Sequence, residues 1–131
     1  MAAHRRGGII MVSSVAAFQG VPYMSHYAAT KAYDLVLGEG LWYEMRRHGV
    51  YVVTLCPGAT TTEFANVADT KPVPGSMPAP PVVKEALEAL GRKHFVTAGR
   101  KNKLTVFSSR LVPRRLATLV AARIMRGLGR Y

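Results

Sequence analysis

An α/β fold built on a small, partial doubly wound parallel sheet is predicted by three observations. Residues 8–13 and 50–56 are short apolar runs bounded by glycine or proline. The stretch 25–48 between them is long and helical in pattern. Strand-like and helix-like segments then keep alternating to the end of the 131 residues. Such alternation favours parallel strands joined by right-handed crossovers. Only about three strands can be found, which is few for a sheet covered on both faces.

Gly8 to Ser13, Gly-Ile-Ile-Met-Val-Ser, is continuous and β-branched. It reads as a strand buried on both faces. Ser14 to Met24 holds Gly20 and Pro22 and reads as a loop. Ser25 is placed to cap the helix that follows. Arg46, Arg47 and His48 fill its last turn, and Gly49 stops it. Gly38 and Gly40 lower helix propensity and are expected to let another helix approach. Val50 to Cys56 is a second strand ended by Pro57-Gly58.

Ala59 to Pro81 is expected to be a long loop. Pro72, Pro74, Pro78, Pro80 and Pro81 argue against a regular helix across it. Val82 to Leu90 is predicted helical, and His94 to Ala98 a third short strand. From Pro113 a final helix is expected, with proline suited to its first turn. Leu116, Leu119, Val120 and Ile124 make its apolar stripe, beside Arg115, Arg123 and Arg126.

Composition excludes several classes. A hydrophobic content of 49% argues against disorder over most of the length. The single cysteine, Cys56, excludes an internal disulfide framework and a Cys-rich zinc site, and the histidines have no metal-ligand spacing. Cys56 itself is expected to be a buried small residue. No run of about 18 apolar residues exists, and the first residues do not form a secretory signal. The expected compartment is the cytoplasm. The net charge of +11 is concentrated: residues 92–131 hold 11 of the 18 bases, and no acid follows Glu88. Such a segment suits an acidic partner.

Tyr27 and Lys31, spaced i, i+4, share one face of the predicted helix. An ammonium near a phenol favours the phenolate and lowers its pKa from about 10. A tyrosine so tuned can exchange protons near neutral pH. Ser13-Ser14 ends the first strand, at the carboxyl edge where open α/β sheets place their sites. Thr60, Thr61 and Thr62 follow the Pro57-Gly58 turn with three hydroxyls.

Residues 7–32, Gly-Gly-Ile-Ile-Met-Val-Ser-Ser through Tyr-Ala-Ala-Thr-Lys-Ala, together with Gly49 to Phe64, resemble the short-chain dehydrogenase/reductase family. The resemblance implies a partial Rossmann-like sheet and an NAD- or NADP-dependent oxidoreductase acting on a carbonyl/alcohol pair. It implies that Tyr27 is the general acid or base and also a cofactor-binding residue, that Lys31 lowers its pKa and bonds the nicotinamide ribose, and that Ser14 orients the substrate carbonyl. Pro57 and Gly58 would flank the nicotinamide, and Thr60 and Thr62 would contact its carboxamide or phosphate region. Residues 63–81 match the family's variable substrate loop. The implied organisation of residues 1–131 is one partial domain: a catalytic segment 1–64, a substrate loop 65–81 and a basic segment 82–131. The choice between NAD and NADP is not readable, and the substrate is open.

The sequence also departs from the family. No Gly-x-x-x-Gly-x-Gly and no Gly-x-Gly-x-x-Gly precedes the serine segment. The expected reading is the C-terminal half of the family's domain, lacking the dinucleotide-binding half. The first strand is then expected to lie at a sheet edge, and the chain to be marginal or reliant on association. A homo-oligomer through the 25–48 helix is the family's usual arrangement. The stripe at 113–126 is expected to pack on the chain's own sheet or on a sister subunit. The competing reading is a non-catalytic module whose basic helix lies on an anionic membrane. Nucleic acid is disfavoured, because no helix-turn-helix or stacking-aromatic pattern accompanies the charge.

Overall fold

The computed structural model describes residues 1–67 and 73–129. Part of the expected substrate loop, with Pro72, and Arg130 of the basic segment lie outside the described residues. Three parallel strands form the main sheet: β1 (Gly7–Val12), β2 (Val50–Cys56) and β5 (Phe95–Thr97), in the order β1-β2-β5. β1 pairs with β2 from Gly7↔Val50 to Val12↔Leu55. β2 pairs with β5 from Thr54↔Phe95 to Cys56↔Thr97.

Two helices make the crossovers and cover opposite faces of β2. α1 (Ser25–Arg46) joins β1 to β2 and meets the face bearing Thr54 and Met11 through Gly38. α3 (Ala79–Ala89) joins β2 to β5. Its Val82, Ala86 and Ala89 pack with Val53, Leu55, Val96 and Ala98, which point to the other face by the strand's period of two. A parallel strand needs both faces apolar, which is why β2 reads as an unbroken hydrophobic run. The sheet is therefore doubly wound, as the alternation of elements predicts. Within the described residues β1 pairs on one side alone.

The structure corrects several local expectations. Ser25 does not cap α1: Met24 holds that position, and the Ser25 hydroxyl donates to Val21 O at 3.4 Å. Gly38 admits a strand rather than another helix. Gly49 does stop α1, with φ 67°, and its Cα faces the Arg5 carbonyl so closely that a side chain would meet backbone. The 59–81 stretch is not all loop. It holds β3 (Thr60–Thr61), a short α2 (Phe64–Val67) and β4 (Met77–Pro78), with β3 parallel to β4. Pro80 and Pro81 open α3 instead of excluding it, since first-turn N–H groups need no intrahelical partner.

One helix was not foreseen. α4 (Arg100–Leu111) follows β5 after Gly99, and α5 (Arg114–Gly127) follows it with Pro113 as N-cap. Glu85 on α3 anchors α4. Its carboxylate accepts the Gly99 N–H at 2.9 Å and the Lys103 ammonium at 2.6 Å. Partial burial alone would raise the Glu85 carboxyl. The hydrogen bonds from Lys103 and Gly99, with the charges of Lys103 and Lys93, outweigh it and hold the pKa below its ordinary value. A depressed carboxylate pKa stabilises the fold above the unfolded value and loses that contribution as pH falls through the folded one. Thermal melts from pH 7 down to 3 are expected to show a loss below about pH 4.5 that is smaller in Glu85→Gln. Equal acid sensitivity of both proteins would remove Glu85 as its source.

The α5 stripe does not pack on the sheet. Leu116, Leu119, Val120 and Ile124 are 50–57% exposed. The helix instead buries Ala121 and Ala122, so its small residues face inward and its large apolar ones outward.

Candidate active site

The carboxyl ends of β1 and β2 are latched together beyond the last ladder pair. The Ser13 N–H donates to Leu55 O at 2.8 Å, and the Val15 N–H to Pro57 O at 3.0 Å. Ser14 is held between these two bonds and is buried. Its Oγ accepts the Ala16 N–H at 3.1 Å and caps a 3₁₀ turn at Val15–Phe18. Capping uses a lone pair and leaves the hydroxyl proton to donate.

α1 is tied to the same end of β1 by two bonds. The Ser13 hydroxyl donates to Lys31 O at 2.6 Å, and the Lys31 ammonium donates to Val12 O at 2.9 Å. The ammonium also pairs with Asp34 Oδ2 at 3.0 Å. Two of its three protons are thus engaged, and one is left. Tyr27 stands one turn earlier on the same helix, with its ring centroid 6.0 Å from Lys31 Nζ. Its ring packs against Phe64 at 5.9 Å. Its phenol oxygen makes no hydrogen bond to any described residue. Tyr27 is half-buried as a residue, and its hydroxyl is open to a partner from outside the chain.

The structure thus brings Ser14, Tyr27, Lys31, Pro57 and Gly58 to one end of the sheet. The threonines are engaged locally. Thr60 Oγ1 donates to Gly58 O at 3.1 Å, and Thr62 Oγ1 accepts the Phe64 N–H at 3.2 Å at the start of α2. Sequence reasoning missed two residues here. Asp34, the partner of Lys31, was visible at i+3. Asn102 was not, because α4 was unforeseen. Its side chain packs against Gly58 and donates to Ala98 O at 2.7 Å.

Cys56, beneath the site, is fully buried, as expected of a small packing residue. Burial pushes its thiol up to about 11; a hydrogen bond with Ser13 opposes this and the charge of Glu39 adds to it. Among the described residues no cluster of three His, Cys, Asp or Glu could hold a metal ion. None of their helices is long and apolar enough to cross a membrane.

The family model described as short chain dehydrogenase matches residues 1–72. The 7beta-hydroxysteroid dehydrogenase of Clostridium sardiniense is 34% identical over 101 residues, covering 75% of this chain and 39% of that protein. A structure from work on the stereoselectivity of 7beta-hydroxysteroid dehydrogenase superposes with a TM-score of 0.70 at 32% identity, over 83% of this chain and 43% of the other. A short-chain dehydrogenase from Sphingobium yanoikuyae, solved with NADPH, gives 0.65 at 28% identity over 84% and 45%. The chain spans about two fifths of the length of the relatives it matches.

Proposed function

The chain belongs to the short-chain dehydrogenase family, and from that premise we propose that it carries the proton-transfer half of an NAD- or NADP-dependent oxidoreductase site for a carbonyl/alcohol pair. The observation that carries this reading is the unbonded Tyr27 phenol set one turn before an anchored ammonium, at the carboxyl end of the sheet. Tyr27 gives a proton to the carbonyl oxygen in reduction and takes it back in oxidation. The Lys31 ammonium stands one turn away, 6.0 Å from the Tyr27 ring centroid. The Ser14 hydroxyl donates to the substrate oxygen and holds it in place. The phenol, hydroxyl and ammonium together suit an oxygen that gains negative charge in the transition state.

The residues present fit one end of the cofactor. Lys31 has a spare donor for a ribose hydroxyl, and Pro57-Gly58 with Thr60 and Thr62 offers backbone and hydroxyl groups beside it. When bound, the nicotinamide supplies or accepts the hydride. The pyrophosphate has no glycine-rich turn among these 131 residues. We assign residues 65–81 to a substrate loop within the single partial domain. Hydroxysteroids are the first substrates to assay, because similar proteins carry that name.

Two partner readings accompany this one. Tyr33, Val36, Leu37 and Tyr43 are exposed along α1, which suits a homo-oligomer through that helix. The exposed stripe of α5, flanked by arginines, suits peripheral contact with an anionic membrane from the cytoplasmic side.

Two measurements test the oxidoreductase reading. Calorimetric titration of the 131-residue chain with NADH and NADPH is expected to give dissociation constants weaker than micromolar. Fused behind the dinucleotide-binding portion of the Clostridium sardiniense relative, the chain is expected to support nicotinamide-dependent oxidation of a hydroxysteroid or another secondary alcohol. A folded fusion that binds cofactor and turns over no alcohol or ketone would sink the reading.

A further inference from the structure

A cleft of about 440 Å³ opens between β5 and α4, with neither Tyr27 nor Ser14 in its lining. Arg92, Lys93, Lys103 and Arg110 line it, with the rings of Phe95 and Phe107. Four permanent cations in one cleft repel one another unless an anion joins them. Glu85 answers Lys103. Arg92 and Arg110 form no ion pair among the described residues, and Lys93 acts on Glu85 without pairing with it directly. Arg110 is oriented without one: its guanidinium lies 5.6 Å from the centroid of Phe18 and 5.5 Å from that of Phe95. The cleft therefore holds a guanidinium seated on two rings beside further cations, a set suited to the several oxygens of a phosphate.

Phe107 belongs to a second feature as well. Leu104, Phe107 and Leu111, spaced i, i+3, i+7, form an outward stripe on α4 and are 63–72% exposed. Lys103 and Arg110 flank that stripe on the cleft side. Nucleic acid or an acidic chain would satisfy the charges but has no use for three exposed large apolar side chains. A lipid surface satisfies both.

We propose that the cleft between β5 and α4 receives the headgroup of an anionic phospholipid while Leu104, Phe107 and Leu111 enter the acyl boundary. The proposal adds a defined headgroup site to the membrane reading of α5 and stands on its own observations, the cleft cations and the α4 stripe.

The test is partition of the 131-residue chain onto vesicles of phosphatidylcholine alone or mixed with phosphatidylglycerol. Binding is expected with the anionic vesicles and to weaken at high salt. Each base removed near such a surface costs about fivefold in affinity. Arg92→Gln/Lys93→Gln/Arg110→Gln is expected to lower binding on the order of 100-fold. Arg5→Gln/Arg6→Gln/Arg47→Gln removes the same charge outside the cleft and is expected to cost less than tenfold. Equal losses would mean diffuse charge and no site. Because Arg110 also packs on two rings, Arg92→Gln/Lys93→Gln serves as the variant that keeps those contacts, with an expected loss of about 25-fold. Leu104→Gln/Leu111→Gln keeps every charge and is expected to lose at least tenfold. No loss there, with soluble polyglutamate binding as tightly as the vesicles, would assign the cleft to an acidic protein and overturn the proposal. Leu119→Gln/Ile124→Gln separates the two readings. If it leaves binding intact while the cleft variant abolishes it, the α5 reading fails and the headgroup site stands.

Discussion

Gly38→Ala is expected to destabilise the chain by about 2 kcal/mol, whereas Gly40→Ala, two residues along the same helix, is expected to stabilise it by up to about 1 kcal/mol. The chemical change is identical, so the difference isolates the surroundings. A methyl on Gly38 would be driven into the Thr54 hydroxyl, with Met11 close behind. Thr54 is fully buried in the central strand, and its Oγ1 has no hydrogen-bond partner among the described residues. Its branched side chain has few rotamers to escape into. The helix would have to lift from β2, thinning the packing on that face of the sheet. Gly40 meets nothing within 4 Å and gains only the helix propensity of alanine. Urea unfolding of the three proteins measures the comparison. A Gly38→Ala protein as stable as the parent would show that α1 packs more loosely on β2 than the structure has it.

How much of this was legible in the sequence depended on how local its cause was. β2 was readable because a strand buried on both faces needs an unbroken β-branched run, and Val52-Val53 supplies it. β1 was readable from Ile9-Ile10, but, paired on one side alone among the described residues, it is half-buried with Val12 exposed rather than buried on both faces. The three-stranded parallel sheet followed from the alternation of elements. α4 was missed because its polar residues, Lys101, Asn102, Lys103, Ser108 and Ser109, hide a three-residue stripe that faces outward. An apolar stripe on the buried side is the usual signal, and here Val106 is the residue that α4 buries. α5 misled for the opposite reason: its stripe was plain, but the helix packs by its alanines. At the site, the spacing of Tyr27 and Lys31 was visible. The bond from Lys31 to Val12 O joins residues 19 apart and is a product of the tertiary fold. Asn102 reaches Gly58 only because Glu85 seats the start of α4 beside it, which no local pattern encodes.

The two bonds of the Lys31 ammonium, to Val12 O and to Asp34, separate the roles of Tyr27 and Lys31. In the cofactor-competent fusion, Tyr27→Phe is expected to lower kcat by roughly 10²–10⁴, the range for loss of a general acid–base group. The substitution keeps the ring that packs on Phe64 and removes an oxygen that bonds to no described residue. Stability is therefore expected to stay within about 0.5 kcal/mol of the parent. Lys31→Met is expected to differ. It removes the tie to Val12 O and leaves Asp34 without its cation, so activity and melting temperature should fall together. Lys31→Arg, which keeps the cation on a long side chain, is expected to restore part of both losses. Full activity in Tyr27→Phe would leave the phenol a packing residue and take the proton-transfer role away from this end of the sheet.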